Sequence, residues 1–268
     1  MSHKNTITAK LPFGQRQEKP RKKGLNYVRA PRILGATIKD LLEAYSAHID
    51  ILKLSGHQAA FSSENSIKST IKLCHGSDIQ IAVGNPVIDS ALTGGSAIFK
   101  EMLKIFSRWG VDYIEISGIA RSLDDDDLEK AIELANKENI GVIYEIGVDF
   151  AHTVSSDNEL FVKRRNEMAK TSLEAGAAFV LIESEGLTEN LPREDYRWET
   201  LEELVTNLDL TKVIFEGDDQ DVLSKLLEVY GPKSNMMIDY TKIEKIEAAR
   251  RGFGPSQFLW GKVAILDD

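Results

Sequence analysis

The sequence predicts a single-domain (β/α)8 barrel, the TIM barrel of the α/β class. Eight short apolar segments alternate with eight segments of helical periodicity between residues 25 and 251. Strict alternation implies parallel strands joined by right-handed crossovers. Eight such units in about 230 residues match the size of this barrel. A doubly wound open sheet is the alternative, and the lack of a Gly-x-Gly-x-x-Gly motif after the first strand disfavours it.

Each predicted strand is a short apolar run bounded by turn-forming residues. The eight runs are Leu25–Arg29, Ile49–Leu54, Ile79–Val83, Asp112–Gly118, Gly141–Ile146, Phe179–Glu183, Lys212–Glu216 and Asn235–Ile238. Pro31 ends the first strand, because proline cannot donate to a ladder. Gly84-Asn85-Pro86 ends the third.

Each predicted helix carries apolar residues at helical spacing. The helices are Thr37–Ala47, Glu64–His75, Ser96–Trp109, a fourth that starts in Asp124–Asp127, Glu159–Ala175, Trp198–Leu208, Gln220–Tyr230 and Thr241–Arg251. The acids of the fourth suit the positive end of a helix dipole. The segment Val87–Gly95 is predicted to be a connection without helix, with Gly94-Gly95 as a breaker.

The two ends of the chain differ from the barrel in composition. Residues 1–24 are polar and basic, with Glu18 as the single acid. We interpret them as an irregular N-terminal arm: either a partly disordered tail, or a folded segment that covers one barrel end or a neighbouring subunit. Residues 25–268 form the barrel with its C-terminal tail. That tail carries Phe258 and Trp260, so we expect it to pack on the barrel.

Composition excludes several classes of protein. A net charge of −9 disfavours nucleic acid and anionic membranes as partners, while a small anionic substrate stays possible at a locally basic site. Cys74 is the single cysteine, so an internal disulfide is impossible. No apolar run is long enough for a membrane span, and residues 1–24 lack the apolar core of a signal peptide. We expect a cytoplasmic protein.

Acidic residues recur at the ends of the predicted strands. Five consecutive strands end on or near an acid: Glu115, Glu145, Glu183, Glu216 and Asp239. In a barrel of this class the functional site lies at the C-terminal ends of the strands. An acid that faced the helix layer would be buried without a partner, so we expect these side chains to point inward.

Clustered carboxylates repel one another, and two arrangements would relieve the repulsion. A divalent cation bound by Glu115, Glu145, Glu183 and Glu216 is the first, and oxygen-only ligands favour Mg²⁺ or Mn²⁺. In the second, Arg29 and Lys53 form salt bridges with the acids and make a polar layer that caps the barrel.

Basic and amide groups at the same end indicate a small anionic substrate. The planar Arg29 guanidinium can donate two hydrogen bonds to a phosphate or carboxylate, and the Lys53 ammonium is a compact positive charge. Asn85 follows the third strand. The candidate catalytic residues are Lys53, Glu145 and His57. His57 is read either as a general acid or base, or as an exposed loop histidine.

Short motifs in the same order carry a family resemblance. They are Lys53-Leu54-Ser55-Gly56, Ile114-Glu115-Ile116-Ser117, Glu145-Ile146-Gly147, Val180-Leu181-Ile182-Glu183 and Lys212-Val213-Ile214-Phe215-Glu216. The chain resembles the phosphosulfolactate synthase family, and Glu18-Lys19-Pro20-Arg21 is similar to its heat-stress-associated plant branch. The resemblance implies a carbon–sulfur lyase that adds sulfite to phosphoenolpyruvate with Mg²⁺, a homo-oligomer, and a link to the stress response.

Three loops depart from the family pattern. Where the synthases carry Pro-Gly-Gly-Thr after strand three, this chain has Val83-Gly84-Asn85-Pro86. A lysine that they carry after strand five is replaced by Val148-Asp149-Phe150, and their Gly-Trp-Gly-Thr by Ser55-Gly56-His57-Gln58. Two other functions therefore stay open: a lyase or isomerase for another small phosphorylated or keto acid, and a non-catalytic stress-related barrel that acts through a protein partner.

Overall fold

The structure is a computed structural model of the 268-residue chain. It describes residues 14, 16–32, 34–117, 123–147, 159–217 and 219–252. The predicted C-terminal tail beyond residue 252, the first thirteen residues of the arm and the family departure at 148–150 lie outside the described residues.

Eight parallel strands form a closed barrel in sequence order, which confirms the predicted fold. They are β1 (Asn26–Arg29), β2 (Ile51–Leu54), β3 (Gln80–Val83), β4 (Tyr113–Ser117), β5 (Gly141–Ile146), β6 (Phe179–Ile182), β7 (Val213–Glu216) and β8 (Asn235–Asp239). Pairing of Asn26 with Met236 and of Arg29 with Asp239 closes the barrel between β1 and β8.

Helices of the described chain surround this barrel. They are α1 (Ala36–Tyr45), α2 (Gly56–Phe61), α3 (Glu64–His75), α4 (Asn85–Thr93), α5 (Ser96–Trp109), α6 (Asp125–Lys137), α7 (Glu159–Glu174), α8 (Trp198–Leu204), α9 (Gln220–Tyr230) and α10 (Ile243–Arg250). Short 3₁₀ turns occur at Ser46–His48, Arg193–Asp195, Leu210–Lys212 and Tyr240–Lys242. None of these helices has the length and apolarity that a membrane span needs.

The predicted connection at Val87–Gly95 is wrong, because most of it belongs to α4. Pro86 lies in the first turn of α4, where a proline removes no intrahelical hydrogen bond. Gly94 caps the C-terminus, and Gly95 then turns the chain with a φ of 98°. The glycine pair therefore ends a helix.

A second helix missed by the sequence analysis is α2. Ser55 accepts a hydrogen bond from the Gln58 N–H, and the Gln58 side chain accepts one from the Ser55 N–H. This reciprocal capping box stabilises the first turn. His57 thus lies on a helix instead of the predicted loop.

Period-2 alternation along the strands separates two apolar cores. The interior cluster combines Tyr27, Ile51, Ala82, Ile143, Leu181, Ile214 and Met237. The alternate strand residues, such as Ile114 and Ile116 of β4, pack against the helices in the larger outer core. On β4 the alternation places Tyr113 and Glu115 on the inner face.

The described part of the N-terminal arm crosses the barrel end at which the strands begin. Arg16 pairs with Glu247 of α10 at 3.0 Å, and Arg21 pairs with Asp50, just before β2, at 2.8 Å. Lys19 donates to the carbonyl oxygens of Ser46 at 3.1 Å and Ser77 at 2.9 Å.

Arg250 lies beneath this arm with no exposed surface. Its guanidinium donates to the Asn26 side chain of β1 at 3.2 Å and to the Ser234 carbonyl, next to β8, at 2.7 Å. Asn26 in turn donates to Glu247 at 2.8 Å. Buried polar groups need such partners, and here they join β1, β8, α10 and the arm.

Candidate functional site

Charged side chains collect on the inner face of the barrel, above the interior apolar cluster. They are Arg29, Lys53, Glu115, Glu145, Glu183 and Glu216. Five of them lie at or next to the C-terminal end of a strand, at the mouth of the barrel, and Glu115 lies deeper, in the middle of β4. The strand alternation that the sequence displays explains why they converge there.

Glu115 is held from two sides and has no exposed surface. Its Oε1 accepts a hydrogen bond from the Tyr27 hydroxyl at 2.6 Å, and its Oε2 lies 2.7 Å from the Lys53 ammonium. Burial opposes the charge on Lys53, but the carboxylates of Glu115 and Glu145 outweigh it and raise the lysine pKa. Lys53 is therefore a cation at neutral pH.

Glu216 has a similar pair of partners. Its Oε1 lies 2.6 Å from the Arg29 guanidinium, and its Oε2 accepts a hydrogen bond from the Ser184 N–H at 3.1 Å. The Arg29 side chain is 33% exposed, so it faces the open mouth. Two of the four predicted metal ligands are thus each paired with a cation, as in the predicted salt-bridged layer.

The other two glutamates form an acid pair. Asn85 donates to Glu145 Oε2 at 2.9 Å, and Glu183 is hydrogen-bonded to Glu145. Burial, followed by the charge of Glu115, raises the pKa of Glu145 to about 7. Burial, followed by the charges of Glu145 and Glu216, raises that of Glu183 to about 10. At neutral pH the proton resides on Glu183.

The acid pair fits a divalent cation better than the full set of four glutamates does. Glu183 Oε2 is buried and has no hydrogen-bond partner among the described residues. Within the same part of the chain, no three His, Cys, Asp or Glu side chains are placed to hold a metal together. Mg²⁺ is commonly bound by one or two carboxylates, with water and substrate oxygens completing its shell. Glu145 and Glu183 would supply two carboxylates.

Two helices begin next to this site, and glycines allow their close approach. A Cβ on Gly56, at the start of α2, would lie 2.8 Å from the Gly84 carbonyl oxygen. A Cβ on Gly84 would lie 2.9 Å from Lys53 Cε. The start of α2 therefore packs directly against the start of α4, and Gly84 lies against the outer end of the Lys53 side chain.

Two residues singled out by the sequence lie apart from this group. His57 is exposed on α2, and no described hydrogen bond or ion pair links it to the glutamates, so its catalytic role stays a prediction. Asp239 accepts hydrogen bonds from Thr241 N at 2.9 Å and Thr241 Oγ1 at 2.6 Å. It caps the 3₁₀ turn after β8.

The sequence analysis missed Tyr27 and the Ser184 N–H. Tyr27 lies two residues before Arg29 on β1, so period 2 alone places it on the inner face. Its position among apolar residues made it indistinguishable from a core tyrosine. The Ser184 N–H carries no sequence signal, since any residue other than proline has a backbone donor.

Solved structures that resemble this chain share its barrel. The 3-hexulose-6-phosphate synthase of Salmonella typhimurium has a TM-score of 0.57 at 9% identity, covering 83% of this chain and 96% of that chain. The D-psicose 3-epimerase of Clostridium cellulolyticum H10 has a TM-score of 0.51 at 12% identity, covering 88% and 94%. Identities this low show the fold alone.

Sequence comparison goes further than the fold. The chain is 23% identical over 242 residues to the phosphosulfolactate synthase of Methanothermobacter thermautotrophicus, which covers 88% of this chain and 92% of that protein. The family model described as (2R)-phospho-3-sulfolactate synthase (ComA) matches residues 14–254, which include the whole mouth of the barrel. This chain therefore belongs to the (2R)-phospho-3-sulfolactate synthase family.

Proposed function

We propose that the chain is a phosphosulfolactate synthase-like lyase that adds sulfite to phosphoenolpyruvate and depends on Mg²⁺. The observation that carries the proposal is the separation of charge at the mouth, with cations on one side and the acid pair on the other. Two fixed cations, Arg29 and Lys53, lie at β1 and β2, and the acid pair Glu145–Glu183 lies at β5 and β6. A substrate with a phosphate and a carboxylate needs both cationic groups and a place for a metal.

The reaction is an addition across the enol double bond. The sulfur lone pair of sulfite forms a bond to C3, the π electrons move toward C2 and the carboxylate, and a proton is added at C2. Lys53 and Arg29 bind and orient the anionic groups, which converts an encounter of two anionic substrates into an ordered complex. Mg²⁺ held by Glu145 and Glu183 would neutralise charge that develops on the substrate oxygens.

Purified protein incubated with phosphoenolpyruvate, sulfite and Mg²⁺ tests this function. We expect a new phosphate ester by ³¹P NMR, with the mass of phosphosulfolactate. The variant Glu145→Gln should form none, while Glu101→Gln, an exposed residue of α5 paired with Lys104, should match the wild type. Failure of the metal-loaded wild type to form product would refute the sulfite reaction.

A second candidate is a barrel lyase or isomerase for another small phosphorylated or keto acid. Asn85 favours it, because an amide that donates to Glu145 occupies the segment in which the synthases carry their glycine-rich loop. Screening such acids by thermal shift would distinguish the two, since a ligand other than phosphoenolpyruvate would then give the larger stabilisation. A barrel that acts only through a protein partner would respond to none of them.

We also propose that the chain forms a homo-oligomer and serves a stress response, as its family resemblance implies. Sedimentation velocity measures the first. Survival of a heat challenge by cells that carry or lack the protein measures the second.

A further inference from the structure

We propose that the four glutamates divide into two functions: Glu115, together with Tyr27, positions the Lys53 ammonium as an anchor for an anionic group of the substrate, and Glu145 with Glu183 holds the metal. The inference rests on the proposed function, because it assigns an anion and a metal to the same mouth. It adds Tyr27, Glu115 and Gly84 as positioning residues for substrate binding.

Both oxygens of Glu115 are already occupied. The Tyr27 hydroxyl donates to Oε1 at 2.6 Å, and the Lys53 ammonium lies 2.7 Å from Oε2. A metal ion bound at Oε2 would come close to that ammonium, in a buried setting where like charges are weakly screened. Glu115 is therefore suited to fix a cationic side chain, and poorly suited to bind a second cation.

The path from Lys53 to Glu115 crosses an intervening strand. Lys53 is on β2 and Glu115 on β4, and the residue of β3 paired with Lys53 is Ala82. Ala82 faces the interior cluster, and Gly84 follows it two positions later. Ala82 and Gly84 place only a methyl group and a hydrogen between Lys53 and β4, so the lysine side chain can reach the Glu115 carboxylate.

Gly84 is needed for space and not for its backbone conformation. Its φ of −72° is available to any residue. A Cβ there would lie 2.9 Å from Lys53 Cε and 3.2 Å from Glu115 Oε2. A methyl group would therefore push the lysine side chain away from its present position, although the helix that starts at this residue would still form.

The Lys53 side chain keeps 17% of its surface exposed, so a ligand in the mouth can reach it. Glu115 and Tyr27 have no exposed surface and act through Lys53. A change at either residue should alter anion binding while the metal ligands on β5 and β6 keep their positions.

Two binding measurements on the same variants test the inference. Calorimetric titration with phosphoenolpyruvate, and with inorganic phosphate, measures anion binding; titration with Mn²⁺ followed by electron paramagnetic resonance measures metal binding. Tyr27→Phe removes a hydrogen bond to a charged group, and Gly84→Ala displaces the lysine side chain, so the phosphoenolpyruvate Kd should rise about tenfold or more in each. The Mn²⁺ Kd should stay within about twofold. Glu183→Gln should show the reverse pattern.

Matched controls separate positioning from general damage. Tyr144→Phe removes a buried hydroxyl from β5 on the helix-facing side, and Gly76→Ala adds a methyl group whose nearest contacts are 3.4 Å away. Both should bind anion and metal like the wild type. If Glu115→Gln fails to fold, Tyr27→Phe and Gly84→Ala still decide the question.

Each outcome has a definite meaning. Wild-type protein that binds neither phosphoenolpyruvate nor phosphate would overturn the proposed function together with this inference. Wild-type binding that Tyr27→Phe and Gly84→Ala leave unchanged would overturn the inference alone. Mn²⁺ binding lost in a folded Glu115→Gln variant would return Glu115 to the metal ligands.

Discussion

Glu183 donates a hydrogen bond from its carboxyl group to the carboxylate of Glu145, across the neighbouring ends of β6 and β5. Raised pKa values of about 10 for Glu183 and about 7 for Glu145 mean that the pair still carries a proton at neutral pH. Lys53 and Arg29 do not displace this proton, because Lys53 is paired with Glu115 and Arg29 with Glu216. The proton and a metal ion compete for the same oxygens.

The acid pair should make the metal-free protein less stable as the pH rises. In the folded state the pKa values of Glu145 and Glu183 are raised to about 7 and about 10, from an ordinary value of 4.5. Above pH 4.5 the folded protein therefore holds protons that the unfolded chain has lost. The free energy of unfolding should fall as the pH rises toward 10, with at most about 1.4 kcal/mol per pH unit for each proton.

Urea unfolding at pH 6 and pH 8, without metal, measures this loss. Glu183→Gln removes one of the two titrating groups and should show a shallower decline. Glu101→Gln, which changes an exposed carboxylate, should decline as the wild type does. Equal declines in Glu183→Gln and the wild type would show that the pair does not hold the extra proton.

Metal binding should have the opposite pH dependence. A carboxyl group must lose its proton before it ligates a cation, so Mg²⁺ affinity should increase as the pH rises through about 7. The measurement is the Mg²⁺-induced shift in Tm at several pH values. That shift should be absent in Glu145→Gln, and a shift of the same size at pH 6 and pH 8 would contradict the assignment.

Replacement of Arg29 by lysine should weaken substrate binding although the charge is kept. The guanidinium contacts Glu216 at 2.6 Å and has further donors in a fixed plane for a carboxylate or phosphate, whereas an ammonium is a point charge. We expect KM for phosphoenolpyruvate to rise about tenfold in Arg29→Lys and further in Arg29→Met. If all three proteins share one KM, Arg29 does not contact the substrate.

The ion network at the other end of the barrel should contribute mainly to stability. Arg16 and Glu247 are both almost fully buried, and removal of one partner leaves an uncompensated charge. Arg16→Met should therefore lower the free energy of unfolding by about 3 kcal/mol. Lys104→Met, which breaks an exposed pair on α5, should change the free energy of unfolding much less, because water screens that pair. Denaturant unfolding at pH 7 compares the two.

The same network should be lost in acid. Although burial opposes its charge, Arg16, His48 and Arg250 outweigh that effect and hold the pKa of Glu247 well below the ordinary value of 4.5. Its stabilising contribution is complete above pH 4.5 and is lost as the pH falls below that value. Glu247→Gln should be less stable than the wild type at pH 7, and the difference should shrink toward pH 3.

The sequence predicts the barrel and the inner face of its strands because both follow from simple periodicity. Alternation along β4 places Glu115 with Tyr113 and away from Ile114. The ion-pair partner of an individual side chain does not follow from periodicity. Lys53 pairs with a glutamate two strands away because Ala82 and Gly84 are small, and that depends on the three-dimensional register.

The helix at α4 illustrates a second limit. Pro86 and the Gly94-Gly95 pair are breakers in any local reading, although the short segment between them contains apolar residues. The proline happens to occupy the first turn and the glycines the C-terminus, so the same residues delimit a helix. Only packing of Ile88 and Ala91 into the outer core decides between the two structures.

The buried hydrogen bond between Arg250 and Asn26 has a consequence for the order of folding. The two residues are 224 positions apart in the sequence, and one of them lies on the first strand. During synthesis β1 stays an edge strand, with a row of unpaired backbone groups, until β8 and α10 have left the ribosome. A chain that stops before β8 should therefore aggregate, even though it contains every charged residue of the mouth.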